Sequence, residues 1–368
     1  MKNNEPKFIY FETYGCTANQ NNTEIMKGLV SQAGLEITNN LDIADLLVIN
    51  TCIVKEPTEK KIERRISDLR RKYTHKPVIV AGCMPEIRSE KLQDENIYLL
   101  GVHNIIFLTK LIRKILEGKY QESEFLNYEN EIKLLKPKIS KKNIGITQIS
   151  EGCSGNCSFC IVRLAKGKLF SYPQEDIIKN IQNDLNSGAK EIWITSQDNA
   201  SYGLDSGRQK LPELMGKILE LKGKFLIRLG MMNPENVLPI LSELIKIYKN
   251  KKIKPFLHLP LQSGSDKILK KMNRKYKVKD FLKIIDKFRT EIPCLFLSTD
   301  IIAGFPSETE ADFNKTLKII KKIKPGQINV SRFWALKPTP ASLLPQITPD
   351  VMKNRTRALM NLIKEYKN

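Results

Sequence analysis

The stretch Ser150-Glu-Gly-Cys-Ser-Gly-Asn-Cys-Ser-Phe-Cys160 holds three of the chain's seven cysteines, spaced C-x3-C-x2-C. Cys153, Cys157 and Cys160 can converge on one point only if the backbone between them folds into a tight loop. Gly152 and Gly155 supply the backbone freedom such a loop needs. Three soft thiolates at one point suit an iron–sulfur cluster, or zinc if a fourth ligand arrives from elsewhere. Three thiolates on a four-iron cubane leave one iron open to a substrate or cofactor. Phe159 places an aromatic ring just before the last cysteine.

Around this loop lies a chain of 368 residues, long enough for a large core and suggesting two domains or one large α/β barrel. Its hydrophobic fraction of 41% is ordinary for a globular protein. No apolar run approaches a membrane span, and Met1-Lys-Asn-Asn-Glu-Pro6 lacks the apolar centre of a secretory signal. These features exclude a membrane channel or a secreted disulfide scaffold and predict a cytoplasmic protein. In that reducing compartment the cysteines read as metal ligands before disulfides. The net charge of +21 favours a polyanionic partner, with nucleic acid first and an acidic membrane surface second. Heavy use of Lys, Ile and Asn is also what an AT-rich genome would produce without any function, although such bias usually balances Lys with Glu.

The N-terminal half alternates strands and helices. Residues 7–14 (KFIYFETY) read as a strand ending at Gly15-Cys16. A helical pattern from about 21 to 33 carries Ile25, Met26 and Leu29 on one face. A buried strand over 45–50 ends at Thr51-Cys52, and Pro57 opens a helix with Ile62, Ile66 and Leu69 as its stripe. The other face of that helix carries Lys60, Lys61, Arg64, Arg65, Arg70 and Arg71. A strand over 77–81 ends at Gly82-Cys83, followed by a strand at 97–100 and a helix over 105–116. Such alternation predicts an open parallel sheet with helices on its faces. Ligands of such sheets bind beyond the carboxyl ends of the strands. Cys16, Cys52 and Cys83 sit just past three such ends, so residues far apart in sequence can form a second three-thiolate site. Cys294, inside Cys294-Leu-Phe-Leu, has no partner in the pattern and reads as core.

Periodicity fades between 118 and 142, where charges cluster towards Lys136-Pro-Lys-Ile-Ser-Lys-Lys142; this reads as a connection. Strands then recur near 144–149, 190–195, 224–229, 255–259, 295–302 and 326–331. Helices fall near 174–187, 211–221, 235–248, 278–290 and 308–322. Six βα units predict a partial, six-stranded βα barrel with its functional residues at the carboxyl ends of the strands. Those ends carry Thr195-Ser-Gln-Asp-Asn199, Arg228-Leu-Gly-Met-Met-Asn-Pro234, His258-Leu-Pro-Leu-Gln-Ser-Gly-Ser265 and Thr299-Asp-Ile-Ile-Ala-Gly-Phe-Pro306. Their shared rim suits a small molecule rich in hydrogen-bonding groups. His258 has no carboxylate near it in sequence and reads as structural.

With Tyr14-Gly-Cys-Thr-Ala-Asn-Gln-Asn21, Asn50-Thr-Cys-Ile-Val-Lys55, Ala81-Gly-Cys-Met-Pro85 and the stretches at 151–160, 258–265 and 299–306 in hand, the chain resembles a methylthiotransferase of the radical S-adenosylmethionine (SAM) superfamily. The resemblance covers roughly residues 8–345. It implies residues 1–118 as an N-terminal domain with an auxiliary 4Fe-4S cluster on Cys16, Cys52 and Cys83. Residues 119–142 become a linker, and 143–345 a radical SAM domain whose 4Fe-4S cluster sits on Cys153, Cys157 and Cys160. SAM is the cofactor, with Phe159, Ser196, Gln197, Arg228, Gln262 and Asp300 as candidate contacts. No acid–base residue is expected, because the clusters carry the chemistry.

Within that family, the segments Tyr14-Gly-Cys-Thr17 and Asn50-Thr-Cys-Ile-Val-Lys-Glu-Pro57 resemble the archaeal and eukaryotic branch. That branch methylthiolates C2 of N6-threonylcarbamoyladenosine at position 37 of tRNA. Sister branches act on N6-isopentenyladenosine in tRNA or on an aspartate of a ribosomal protein. The resemblance implies tRNA as partner, splayed at the anticodon loop, with Arg64, Arg65, Arg70 and Arg71 as candidate phosphate contacts. An electron donor and a sulfur source are also implied. A different class of reading is a non-catalytic RNA-binding protein clipped by metal.

Two departures stand out. Family members usually carry Ala-Arg-Gly after the cysteine loop, whereas here Ala165-Lys166-Gly167 keeps the charge without the bidentate fork. They also usually continue into a small C-terminal β-barrel, the TRAM domain. Here residues 346–368 read as a basic helix with Arg355, Arg357 and Lys364. Either the sequence is truncated or this lineage does without that domain, which would shift RNA binding onto the core.

Overall fold

Short β-branched runs separated by amphipathic stripes build the first of two compact units, residues Met1–Gly152 with Val162–Ala189; the second is Cys153–Ile161 with Lys190–Asn368. The structure, a computed structural model, describes residues 8–126, 131–141 and 143–367. Met1-Lys-Asn-Asn-Glu-Pro6, Lys7 of the first expected strand, positions 127–130 and Lys142 of the expected linker, and Asn368 lie outside the described residues.

In the first unit, strands β1 (Phe8–Thr13), β2 (Glu36–Thr38), β3 (Leu46–Thr51), β4 (Val78–Gly82) and β5 (Ile97–Gly101) form a sheet in the order β2-β1-β3-β4-β5, every pair parallel. β3 and β4 are buried along their whole length, as central strands covered on both faces must be. Helices α1 (Thr17–Gln32), α2 (Glu56–Lys72), α3 (Cys83–Arg88) and α4 (Leu108–Leu116) connect them. Leu108 and Leu111 of α4 join Val48, Ile79 and Phe125 in one apolar cluster. Truncating such a residue, Ile79→Ala for example, would cost roughly 2–5 kcal/mol.

Several details depart from the expected pattern. α1 starts at Thr17 rather than near Asn21, because the buried Asn19, Asn21 and Asn22 hide its apolar periodicity. α3 begins at Cys83 itself, with no apolar stripe to announce it. Part of the expected linker belongs to the first unit's packing: Phe125 is buried and Ile139 N donates to Glu24 O at 2.9 Å. After β6 (Ile144–Gln148), the two-residue strands β7 (Ser150–Glu151) and β8 (Phe170–Ser171) pair antiparallel, flanking α5 (Val162–Lys166); α6 (Gln174–Asn186) closes the unit.

In the second unit, β9 (Glu191–Thr195) pairs parallel with β10 (Leu226–Leu229). β11 (Phe256–His258), β12 (Phe296–Ala303) and β13 (Gln327–Arg332) form a second parallel set with β12 central. Along these strands Ile192, Ile194, Ile227, Leu229, Leu257 and Leu297 are buried. Trp193, Arg228, Phe256, His258 and Asp300 alternate onto the other face and are half-buried. The expected helix over 235–248 is interrupted at Leu238–Ile240, where Pro239 removes a backbone donor. Cys294 is exposed, not core: it sits in the turn before β12, so the apolar run that suggested burial spans a turn and a strand start. In the last helix, Pro349–Lys367, Arg355 is buried and pairs with Glu308 at 2.9 Å, so only Arg357 and Lys364 of the three basic residues face solvent. Among the described residues no helix is long and apolar enough to cross a membrane.

Candidate metal centres

The loop Cys153–Cys160 is held by backbone and side-chain hydrogen bonds within the second unit. Gly155 N donates to Cys153 Sγ at 3.3 Å, and Cys160 N donates to Cys157 O at 3.2 Å. Ser158 Oγ donates to Lys271 O at 2.8 Å, and Asn273 Nδ2 to Asn156 O at 2.6 Å. A methyl group placed on Gly155 would lie 3.4 Å from Cys153 Sγ and 4.0 Å from Cys157 Sγ, so both thiols flank one small space. Burial, with Asp198, Cys160 and Cys157 nearby, pushes the Cys153 thiol up to about 12. Crowded sulfurs that resist ionisation alone become good ligands once a metal's positive charge is present. Phe159 is half-buried between the last two cysteines.

Arg274 Nη1 reaches Cys157 Sγ at 3.2 Å, and its Nη2 reaches Asn233 Oδ1 at 2.6 Å. Asn233 Nδ2 and Asn236 Nδ2 in turn donate to buried Asp198 at 2.9 and 2.7 Å. This network ties the ends of β9 and β10 to the cysteine loop. Beside it Ser196 Oγ and Gln197 Oε1 are buried with no hydrogen-bond partner, an arrangement that suits a polar ligand. Arg274 was missed in the sequence because nothing in Met272-Asn-Arg-Lys-Tyr276 announces a ligand-facing residue.

The other candidate cofactor contacts are placed differently. Arg228 lies 4.9 Å from the Trp193 ring and 4.3 Å from the Phe256 ring, stacked between them. Gln262 adopts a positive φ, and its backbone bonds to β12: its N donates to Asp300 O at 2.8 Å. Asp300 accepts from Asn329 Nδ2 at 2.7 Å and lies 2.9 Å from His258 Nε2. His258 thus has the carboxylate partner that its sequence surroundings lack, supplied by the pairing of β11 with β12.

In the first unit, register brings Thr13 opposite Asn50 and Thr51 opposite Gly82. Cys16, Cys52 and Cys83 follow these strand ends and interact with one another. Gly15 adopts φ +104, and a methyl group there would meet Cys52 Sγ at 2.9 Å, so only glycine lets β1 exit this close to Cys52. Three polar side chains lace the edge together. Asn19 Nδ2 donates to Tyr14 O and Thr51 O, Asn50 Nδ2 to Asn19 O, and Thr51 Oγ1 to Ala81 O. Their roles are invisible until the strands are aligned. Cys16 is exposed, while Cys52 and Cys83 are buried; burial pushes Cys83 up to about 12.

Behind these thiols lies a charged interior. Lys133 Nζ donates to Glu151 Oε1 at 2.6 Å, and Tyr172 Oη to the same oxygen at 3.1 Å. Although burial opposes it, Lys133 and Lys166 hold the Glu151 carboxyl at about 2. Lys166 is 1% exposed and its Nζ has no hydrogen-bond partner. Among the described residues no group of three His, Cys, Asp or Glu is set to hold a single metal ion. A lone zinc needs donors about 2.0–2.3 Å from one point, whereas a cluster takes its thiolates on separate irons. Three cysteine thiols in each set are donors of the type that iron–sulfur clusters take.

Of the four arginines proposed for phosphate contacts, Arg64 and Arg71 are exposed, Arg71 in a surface pair with Asp68 at 2.9 Å. Arg65 grips Glu12 with two nitrogens, and Arg70 binds Asp94 Oδ1 at 3.0 Å and the carbonyl of Thr74. Half of that patch is committed to holding the first unit together.

The fold and the cysteine loop together define a radical SAM enzyme. Residues 147–320 match the radical SAM superfamily, and residues 8–101 match the uncharacterized protein family UPF0004. In fold the chain is similar to the radical S-adenosylmethionine methyltransferase TsrM from Kitasatospora setae, solved with cobalamin and a 4Fe-4S cluster. That match has a TM-score of 0.67 at 13% identity and covers 92% of this chain and 77% of the other. The cobalamin-dependent S-adenosylmethionine radical enzyme OxsB matches with TM-score 0.60 at 10% identity, over 98% of this chain and 56% of the other.

By sequence the chain is 39% identical to a protein of Archaeoglobus fulgidus described as "Probable threonylcarbamoyladenosine tRNA methylthiotransferase", over 97% of this chain and 83% of the relative. A Methanocaldococcus jannaschii protein of the same description is 41% identical over the same shares. The Homo sapiens threonylcarbamoyladenosine tRNA methylthiotransferase is 33% identical over 97% of this chain and 62% of its own length. The chain belongs to the threonylcarbamoyladenosine tRNA methylthiotransferase family. As a radical SAM enzyme it uses SAM and a 4Fe-4S cluster.

Proposed function

We propose that this chain adds a methylthio group to C2 of N6-threonylcarbamoyladenosine at position 37 of tRNA, in the cytoplasm. The observation that carries this reading is the presence of two separate three-thiol sets. One is a local loop and the other is assembled by register at the ends of β1, β3 and β4. Cys153, Cys157 and Cys160 hold one 4Fe-4S cluster, and Cys16, Cys52 and Cys83 hold a second.

When bound, the first cluster and SAM supply a radical able to activate an unreactive C–H bond, and the second supplies the sulfur site. The chain's own residues place and shield these groups. Ser196 and Gln197 offer unpartnered polar atoms to SAM, and the Asp198–Asn233–Arg274 network fixes the loop beneath. Arg64, Arg71 and the overall charge of +21 favour tRNA phosphates. Electrons and sulfur come from other molecules.

A purely structural metal clip would leave no reason for the buried unpartnered polar atoms at Ser196 and Gln197, which supports the catalytic reading. Two cysteine substitutions test it. C157A abolishes deoxyadenosine formation from SAM, whereas C52A retains cleavage but makes no methylthiolated product. Persistent SAM cleavage by C157A, or normal product from C52A, would sink the assignment.

A further inference from the structure

We propose that Lys166 is the charge-balancing donor of the site formed by Cys16, Cys52 and Cys83, its ammonium directed at sulfur. The proposal rests on reading those three thiols as cluster ligands. Lys166 ends α5, which packs on α3, the helix that opens with Cys83. The side chain is 1% exposed, and Nζ has no hydrogen-bond partner. A buried ammonium without a partner is costly unless an anionic group completes its surroundings.

The charges around it show which group is missing. Glu151, the buried carboxylate that acts on Lys166, already accepts from Lys133 Nζ and from Tyr172 Oη. Glu151 thus faces two buried ammonium groups, Lys133 and Lys166, and hydrogen-bonds only the first. The groups that favour charge on Lys166, against the opposing effect of burial, are Cys83, Cys16, Glu151 and Cys52. Three thiolates outweigh the positive charge of an oxidised four-iron core, so the loaded site is anionic and the Lys166 ammonium offsets it. Lysine brings three donors on a flexible stem, which suits N–H···S contacts to ligand or cluster sulfur. Charge and hydrogen bonds at the sulfurs set a cluster's reduction potential, and surrounding groups of this kind change metal affinity by about 10–100-fold.

The test uses the full chain carrying C153A, C157A and C160A, so that only the first-unit site can hold a cluster. Parent, K166R and K166Q forms are reconstituted anaerobically with iron and sulfide. Iron loss to a chelator is followed by visible absorbance, and the midpoint potential by EPR-monitored titration. K166Q should lose iron at least about tenfold faster than the parent and become harder to reduce, while K166R stays near the parent. Equal retention and potential in K166Q, or a K166R protein as impaired as K166Q, would each overturn the role. Failure of the parent itself to take up iron would instead remove the three-cysteine reading, and the inference with it.

Discussion

Arg274 Nη1 lies 3.2 Å from Cys157 Sγ, and the guanidinium that carries it is fixed on its other side by Asn233 Oδ1 at 2.6 Å. The side chain is only 3% exposed, with Glu235 at 3.7 Å and the Tyr276 ring at 5.0 Å. A cation locked against a ligand sulfur both orients the thiolate and lowers the cost of its negative charge. R274Q should therefore reduce iron retention at the Cys153–Cys160 loop and slow SAM cleavage by about 10–100-fold. R274K, which keeps the charge but not the two-pronged grip, should fall between. Iron analysis and deoxyadenosine release read both effects; wild-type values in R274Q would show that the contact is incidental.

The basic face of α2 divides into half-buried Arg65 and Arg70, which tie the helix to other elements of the first unit, and exposed Arg64 and Arg71, the latter only in a surface pair with Asp68 on its own helix. R64A and R71A should each weaken tRNA binding and lower the salt slope by about one unit, with the melting temperature unchanged. R65A should do the reverse, because it strands Glu12, whose carboxyl is held low by the Arg65 and Tyr14 hydrogen bonds against burial. A loss of roughly 1 kcal/mol of stability is expected, with little change in binding. Filter binding across a salt series, paired with thermal melts, separates the two classes.

Glu86 is a buried carboxyl whose acidity burial shifts from about 4.5 up to about 7, despite backbone donors at Val102 and His103. Because the folded value lies above the unfolded one, its contribution is fully present below about pH 4.5 and is lost as the pH rises through about 7. E86Q should flatten that dependence and melt higher than wild type at pH 8, by on the order of 2–3 kcal/mol in stability. Melting curves of both proteins at pH 5 and pH 8 test it. Parallel pH dependences would show that Glu86 keeps an ordinary carboxylate acidity in the folded protein.

Much of this architecture can be read before any coordinates. The runs ending in Gly15-Cys16, Thr51-Cys52 and Gly82-Cys83 announce three parallel strand ends, and the observed register places them together as periodicity implies. What stays hidden is whatever depends on partners distant in sequence. His258 acquires Asp300, 42 residues away, only through the pairing of two strands. Arg65 looks like a free cation until Glu12, 53 residues away, is seen to occupy it. Lys166 reads as one more basic residue, since burial of a charge leaves no local pattern. Cys294 fails in the opposite direction: its apolar neighbours suggest a core that a turn places in solvent.

The most direct measurement of the central claim is mass spectrometry of nucleosides from tRNA of a host that expresses this chain and lacks its own enzyme of this kind. The account predicts 2-methylthio-N6-threonylcarbamoyladenosine, dependent on both Cys52 and Cys157. Unmodified threonylcarbamoyladenosine alongside active SAM cleavage, or a methylthio group found only on isopentenyladenosine, would contradict it.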